Sequence, residues 1–282
     1  MKIRKSTLLL IGIFIIGLSL LLYPTVSDYW NSFHQTRAIA AYTDVVENLD
    51  DESYEKMLEE AHAYNNTLTN SNNRFILTEE EEEKYESLLD ITGTGIMGYI
   101  EIPSIRCSLP IYHGTDDAVL QIAAGHVPGS SLPVGGESTH CVISGHRGLP
   151  SAKLFTDLDE LTVGDIFMLH VLDEVLTYEV DQIHIVEPED LDLLGIEEGQ
   201  DLCTLVTCTP YGINTHRLLV RGHRIENLDG ASSRIPADAV QIDPVVVAPV
   251  VAAPLLVILL IWILISSAKK KQRNKKKQEN KK

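Results

Sequence analysis

Positive charge is scarce where it would matter most. Between an apolar run at Thr7 to Tyr23 and a second at Val245 to Ile265, the chain carries 11 Lys and Arg against 39 Asp and Glu, a net of −28. Phosphate would be repelled by such a surface, which argues against nucleic acid as a partner; the acidity reads as a solvated exterior. No glycine-rich loop has the pattern of a phosphate cradle, so no nucleotide cofactor is implied. No cluster of His and Cys has metal-ligand spacing, so no metal is implied either. Internal repeats are absent, and low complexity is confined to a lysine-rich tail. Only four cysteines occur in 282 residues, and aromatics make up 6%. A 44% hydrophobic content is still ample for a sizeable core.

The two apolar runs each approach the roughly 20 residues needed to cross a bilayer as a helix. Lys2, Arg4 and Lys5 precede the first, and Lys269-Lys270-Lys271-Gln272-Arg273 with further lysines follow the second. Basic residues at both outer flanks place both termini in the cytoplasm and the intervening region outside. A cleaved signal peptide is the rival reading of the first run, but Tyr23-Pro24 is too bulky for a cleavage site, which favours an uncleaved anchor. The second run holds Pro249 and Pro254, which membrane helices tolerate. With its lysine tail it also has the shape of a cell-wall sorting signal, yet Ile242-Asp243-Pro244 offers no cleavable Leu-Pro-x-Thr-Gly before it. The segments that follow are a cytoplasmic N-terminus (1–6), a membrane helix (7–23), a helical extension (24–97), a strand-rich segment (98–226), a linker (227–244), a second membrane helix (245–267) and a basic cytoplasmic tail (268–282).

Apolar positions recur near helical spacing at Trp30, Phe33, Ala41 and Val45, and again at Tyr54, Met57, Leu58 and Ala61, predicting helices over Ser27–Leu49 and Glu52–Asn66. Thr67 to Leu77 is polar and reads as a loop. Thr78 with Glu81 forms a capping-box pattern, so a third helix should run from Glu79 to about Leu89. From Gly98 the texture changes to short apolar or alternating runs at Gly98–Ile102, Leu109–Tyr112, His140–Ser144, Asp165–Val171, Val175–Val186, Leu202–Thr207 and Arg217–Arg221, punctuated by turn residues. Short helices are expected at Asp117–Ala124 and Ala152–Leu158. Seven or eight strands in about 130 residues predict a mainly β fold, a small and mostly antiparallel barrel.

Three strand ends carry chemistry. Thr204-Leu205-Val206-Thr207-Cys208 is a β-branched run that delivers a thiol to a turn beginning Thr209-Pro210. Cys141-Val142-Ile143-Ser144-Gly145-His146 ends in an imidazole between glycines, and Arg217 opens the run Arg217-Leu218-Leu219-Val220-Arg221. A nucleophile, a proton carrier and a fixed cation are enough for acyl transfer through a thioester. Arg221 shares a strand face with Arg217 by period two and is its rival. His140 and His216 point away from the faces of Cys141 and Arg217 and read as structural.

Ile143-Ser144-Gly145-His146-Arg147-Gly148, Thr204 to Cys208, and Thr215-His216-Arg217-Leu218-Leu219-Val220-Arg221-Gly222 resemble the signature segments of sortases, membrane-anchored cysteine transpeptidases of Gram-positive bacteria. The likeness runs from about Gly98 to Arg224. A second apolar run and a long helical extension are similar to the pilus-assembling class C branch. The resemblance implies an eight-stranded barrel in which Cys208 attacks the Thr–Gly carbonyl of a Leu-Pro-x-Thr-Gly-like signal on a pilin. His146 would then move protons, and Arg217 would hold the oxyanion or the substrate backbone. The acyl group would pass to a lysine amine of another pilin. No cofactor is implied. Peptidoglycan anchoring, simple proteolysis and a non-catalytic, membrane-tethered scaffold are the alternatives.

Two further expectations follow. If Cys208 is a free nucleophile, Cys107, Cys141 and Cys203 remain, an odd number, and they read as buried free thiols. Cys141 and Cys203 would lie side by side if their strands were parallel neighbours. Class C sortases also commonly carry an Asp-Pro-aromatic lid over the thiol. The corresponding stretch here is Asn72-Asn73-Arg74-Phe75, so Arg74 and Phe75 are the lid candidates, and any lid would be held weakly without the acid. The alternative is a plain surface loop.

Overall fold

A computed structural model describes residues 5–69 and 74–227. The second apolar run, the linker before it, the basic tail and Asn72-Asn73 lie outside the described residues. Helices α1 (Lys5–Glu47), α2 (Asp51–Leu68), α3 (Glu79–Ser87) and α4 (Asp117–Leu120) accompany eight strands. The strands are β1 (Ile96–Ile102), β2 (Cys107–His113), β3 (Ala124–His126), β4 (Thr139–Ser144), β5 (Ile166–Val171), β6 (Glu174–Val186), β7 (Asp201–Thr209) and β8 (His216–Arg224). They close into a barrel in the order β1-β2-β3-β4-β7-β8-β6-β5. Pairs β2/β3 and β4/β7 are parallel and the other six antiparallel.

Alternation decides which side chains fill the barrel. Leu109 and Ile111, Cys141 and Ile143, Phe167 and Leu169, Tyr178 and Val180, Cys203 and Leu205, and Leu218 and Val220 all point inward and are buried. Each expected strand is present, with ends shifted by at most three residues. The two short helices are corrected. The expected helix at Asp117–Ala124 stops at Leu120, because Ala124–His126 pairs with β2 and β4 and supplies the eighth strand. At Ala152–Leu158 there is no α-helix: the chain turns so that Leu154, Phe155 and Leu158 enter the core, and a 3₁₀ turn follows at Leu158–Glu160.

Helix α1 runs on past Pro24, where the sequence predicts a break between span and extension. It is the one helix among the described residues long and apolar enough to cross a membrane. From Ser27 onward the chain belongs to the compact unit that contains the barrel. Three buried side chains fasten the helices of this unit to the strands and their connections. The Tyr42 hydroxyl donates to the Met97 carbonyl at 3.1 Å and accepts from Leu172 N at 2.7 Å. On α2, Asn65 both donates to Leu132 O (3.1 Å) and accepts from Leu132 N (2.7 Å). Tyr85 on α3 meets His126 Nδ1 at 2.9 Å. Thr78 and Glu81 form the expected reciprocal cap at the start of α3.

Candidate active site

Strand β7 is buried along most of its length but half-open at Val206 and Cys208, and it carries Cys208 one residue before its end. The antiparallel register sets Cys208 directly opposite Arg217 on β8; Val206 lies opposite Leu219 and Thr204 opposite Arg221. These six residues share the outer face, since Cys203, Leu205, Leu218 and Val220 fill the barrel. On the other side β4 runs parallel to β7, with Ser144 beside Val206. Two bonds carry that pairing past the strand end: Gly145 N donates to Val206 O (3.0 Å), and Thr207 Oγ1 donates to Gly145 O (2.7 Å). That register, continued by two residues, would set His146 level with Cys208. The backbone carbonyl of His146 is held by Phe155 N at 3.1 Å. Cys208, His146 and Arg217 are all half-buried, and among the described residues neither the thiol nor the imidazole makes a hydrogen bond.

Gly145 must be small at this point. A Cβ there would stand 2.5 Å from Cδ2 of the fully buried Phe155 ring. The adjacent Arg147 pairs with Asp159 and lies over the Tyr211 ring, 5.8 Å from its centroid, linking the loop after β4 to the loop after β7.

The two arginines on the outer face of β8 differ sharply in their partners. Arg221 makes a two-bond fork to Asp181 (3.1 and 2.7 Å) and a third contact to Glu197 (2.6 Å), which raises its already high pKa. Arg217 reaches only carbonyls, His216 O at 3.2 Å and Asn214 O at 3.5 Å. Among the described residues no carboxylate pairs with it. The cation beside Cys208 is therefore uncompensated and free to meet an anion, whereas Arg221 is already neutralised.

His140 shares the outer face with Cys208 but has both nitrogens engaged. Nδ1 donates to Gly195 O at 2.7 Å, so Nε2 accepts from the Thr204 hydroxyl, also at 2.7 Å. Burial outweighs these bonds and pushes its pKa down to about 4, leaving a neutral ring. His216 instead pairs with Glu187 at 3.3 Å. Cys141 and Cys203 are register partners on the parallel strands, buried and unbridged, and their thiols are hydrogen-bonded. Desolvation drives the Cys203 pKa up. Cys107 is likewise pushed up by burial, to about 12.

The lid candidates lie one residue pair further along the outer face. Phe75 packs against the cluster of Val142, Leu194 and Leu219, as Val206 also does. Arg74 donates from Nη2 to Leu194 O, with its guanidinium carbon 4.7 Å from the Phe75 ring centroid. Partial burial lowers the Arg74 pKa, and among the described residues its Nη1 has no hydrogen-bond partner.

The sortase C1 structure from Streptococcus agalactiae is 54% identical, with a TM-score of 0.66, covering 68% of this chain and 99% of that one. The family model described as the Sortase domain matches residues 100–225. The chain belongs to the sortase family. A structure of Streptococcus pneumoniae Sortase C agrees, at 45% identity and a TM-score of 0.61, covering 71% of this sortase and all of that chain. Among curated relatives, Sortase D of Bacillus subtilis is 32% identical over 131 residues, 45% of this chain and 63% of its own length. Sortase A of Streptococcus agalactiae is 32% identical over 117 residues, 40% of this chain and 47% of its own. This sortase thus spans roughly half to two thirds of the curated relatives it matches, while covering the solved class C structures almost entirely.

Sequence reasoning missed the acids that set the two arginines apart. Asp181 and Glu197 lie 40 and 24 residues from Arg221, and no motif joins them. It also missed Thr207 as the side chain that ties the loop of His146 to β7.

Proposed function

We propose that this chain is a class C sortase, a membrane-held cysteine transpeptidase that joins pilin subunits. The supporting observation is the row at the end of β7: Cys208 opposite an arginine that no carboxylate among the described residues pairs with, and His146 two residues past the end of the neighbouring parallel strand. Cys208 passes its thiol proton to His146, and its Sγ attacks the Thr carbonyl of a Leu-Pro-x-Thr-Gly-like signal. The carbonyl π pair moves to oxygen, and the resulting oxyanion lies against Arg217. Collapse breaks the Thr–Gly bond as His146 gives its proton to the departing amine, leaving a thioester. A lysine amine of a second pilin then adds to that thioester, His146 takes the amine proton, and the thiolate leaves as an isopeptide forms. Arg217 serves as a fixed cation and hydrogen-bond donor, not as a base.

In this reading the N-terminal apolar helix anchors the enzyme, the barrel lies outside the cell, and the second apolar run returns the chain so that both termini are cytoplasmic. Residues 24–97 brace the catalytic segment 98–226.

The test uses the full chain in detergent micelles, a sorting-signal peptide, and a pilin fragment bearing candidate lysines. Covalent peptide–pilin products lost in Cys208→Ala are expected. Release of peptide fragments without any transfer would make the enzyme a protease, transfer only to peptidoglycan fragments would make it an anchoring sortase, and no turnover would leave a scaffold.

A further inference from the structure

The connection between β6 and β7, residues 187–200, runs beside the outer face that carries Cys208 and Arg217, and several bonds fasten it. Arg221 holds Glu197 at 2.6 Å, Gly199 N donates to Ser138 Oγ at 2.9 Å, and His140 holds the Gly195 carbonyl at 2.7 Å. Next to these, Arg74 grips the Leu194 carbonyl, and Leu194 is buried in the cluster that Phe75 covers. The backbone of Arg74 is wedged from behind. Its carbonyl lies so close to Gly129, at φ +82°, that a Cβ there would collide with it. Arg74 thus bridges the β3–β4 connection and the β6–β7 connection, while Phe75 packs on the cluster that Leu194 shares with Val142 and Leu219. A cover made to leave the thiol would be expected to grip the thiol or its arginine. Among the described residues neither side chain bonds to Cys208 or Arg217, and Arg74 grips the frame of the groove instead.

We propose that Arg74 and Phe75 are positioning residues that hold the 187–200 connection as one wall of the peptide groove beside Cys208. The inference rests on the sortase reading above and assigns Arg74 and Phe75 to substrate binding rather than to a cover over the thiol. Loss of the Arg74–Leu194 bond would let the Leu194 turn drift from Val142 and Leu219, widening the groove one residue pair from the reacting atoms. A cover and a wall make opposite demands: removing a cover speeds reaction, and removing a wall weakens peptide binding.

The full chain in micelles is assayed as Arg74→Ala, Arg74→Lys and Phe75→Ala, measuring kcat and KM for a sorting-signal peptide and the rate of Cys208 alkylation by iodoacetamide. Both alanine variants are expected to raise KM about tenfold with kcat little changed. Arg74→Lys, which can still donate to Leu194 O, should recover part of the loss, and alkylation should stay within about twofold of the unsubstituted chain. Alkylation confined to one thiol also reports that each variant is folded. Faster turnover with faster alkylation in either alanine variant overturns the proposal in favour of a cover, and an unchanged KM overturns it in favour of an idle loop. Failure of the unsubstituted chain to turn over peptide would overturn the sortase reading itself.

Discussion

Cys208 and Arg217 are cross-strand partners on the outer face of the barrel, while Arg221, on the same face of β8, is held by Asp181 and Glu197. The strand register therefore sorts two arginines that look equivalent by spacing.

Arg217→Lys is expected to lower kcat/KM by about a hundredfold or more, since a single ammonium does not reproduce the planar fork. Arg221→Gln should cost less than tenfold in activity but about 1–3 kcal/mol in stability, by leaving Asp181 and Glu197 without their cation. Steady-state kinetics and denaturant melts of the two variants, side by side, check this. Equal kinetic losses would remove the distinction.

The four thiols should differ in kind. Cys141 and Cys203 are buried inside the barrel, and Cys107 is pushed up to about 12, with its Sγ 3.8 Å from Leu154 O. Titration with a thiol reagent at neutral pH is expected to find one fast thiol in the folded chain, lost in Cys208→Ala, and four after denaturation without reductant. Two missing thiols in the denatured sample would reveal a Cys141–Cys203 bridge.

His140 makes stability depend on acidity with a definite sign. Its folded pKa, about 4, lies below the ordinary value of 6.5, so the unfolded chain binds the extra proton between those two values. Its contribution is complete above pH 6.5 and declines as the pH falls toward 4, by on the order of 3 kcal/mol in total. Melting curves from pH 7 to 4.5 should fall less steeply for His140→Gln than for the unsubstituted chain. His113, also depressed by burial, contributes with the same sign to both proteins, and the comparison cancels it.

Gly145→Ala presses a methyl into the Phe155 ring beside the residue that delivers His146. A stability loss of about 1–3 kcal/mol is expected, with kcat reduced about tenfold or more. Adding Phe155→Leu opens the space and should recover part of both, as a coupled pair does. Independent, additive losses would show that Gly145 acts by another route.

The barrel was largely legible because its strands alternate and its turns are marked by Gly, Pro, Asn and Asp. The site was legible because Cys208, His146 and Arg217 stand at strand ends. What local sequence hid was set by long-range pairing. Ala124–His126 is too short to announce itself as a strand and exists because β2 and β4 both bond to it. Ala152 to Leu158 carries helix-like apolar spacing, but burial of Phe155 against Gly145 directs the chain into turns. Arg74 and Phe75 were visible as lid candidates, yet their partners, Leu194 and Gly129, lie 120 and 55 residues away and carry no motif of their own.

The central claim is that Cys208 carries the acyl group. Intact-mass measurement of the full chain, quenched in acid after brief mixing with a sorting-signal peptide, tests it most directly. A mass increase equal to the peptide up to its threonine, mapped to Cys208 and discharged by added amine, is the predicted result. Peptide cleavage that persists in Cys208→Ala, or an adduct mapped to another residue, would contradict it.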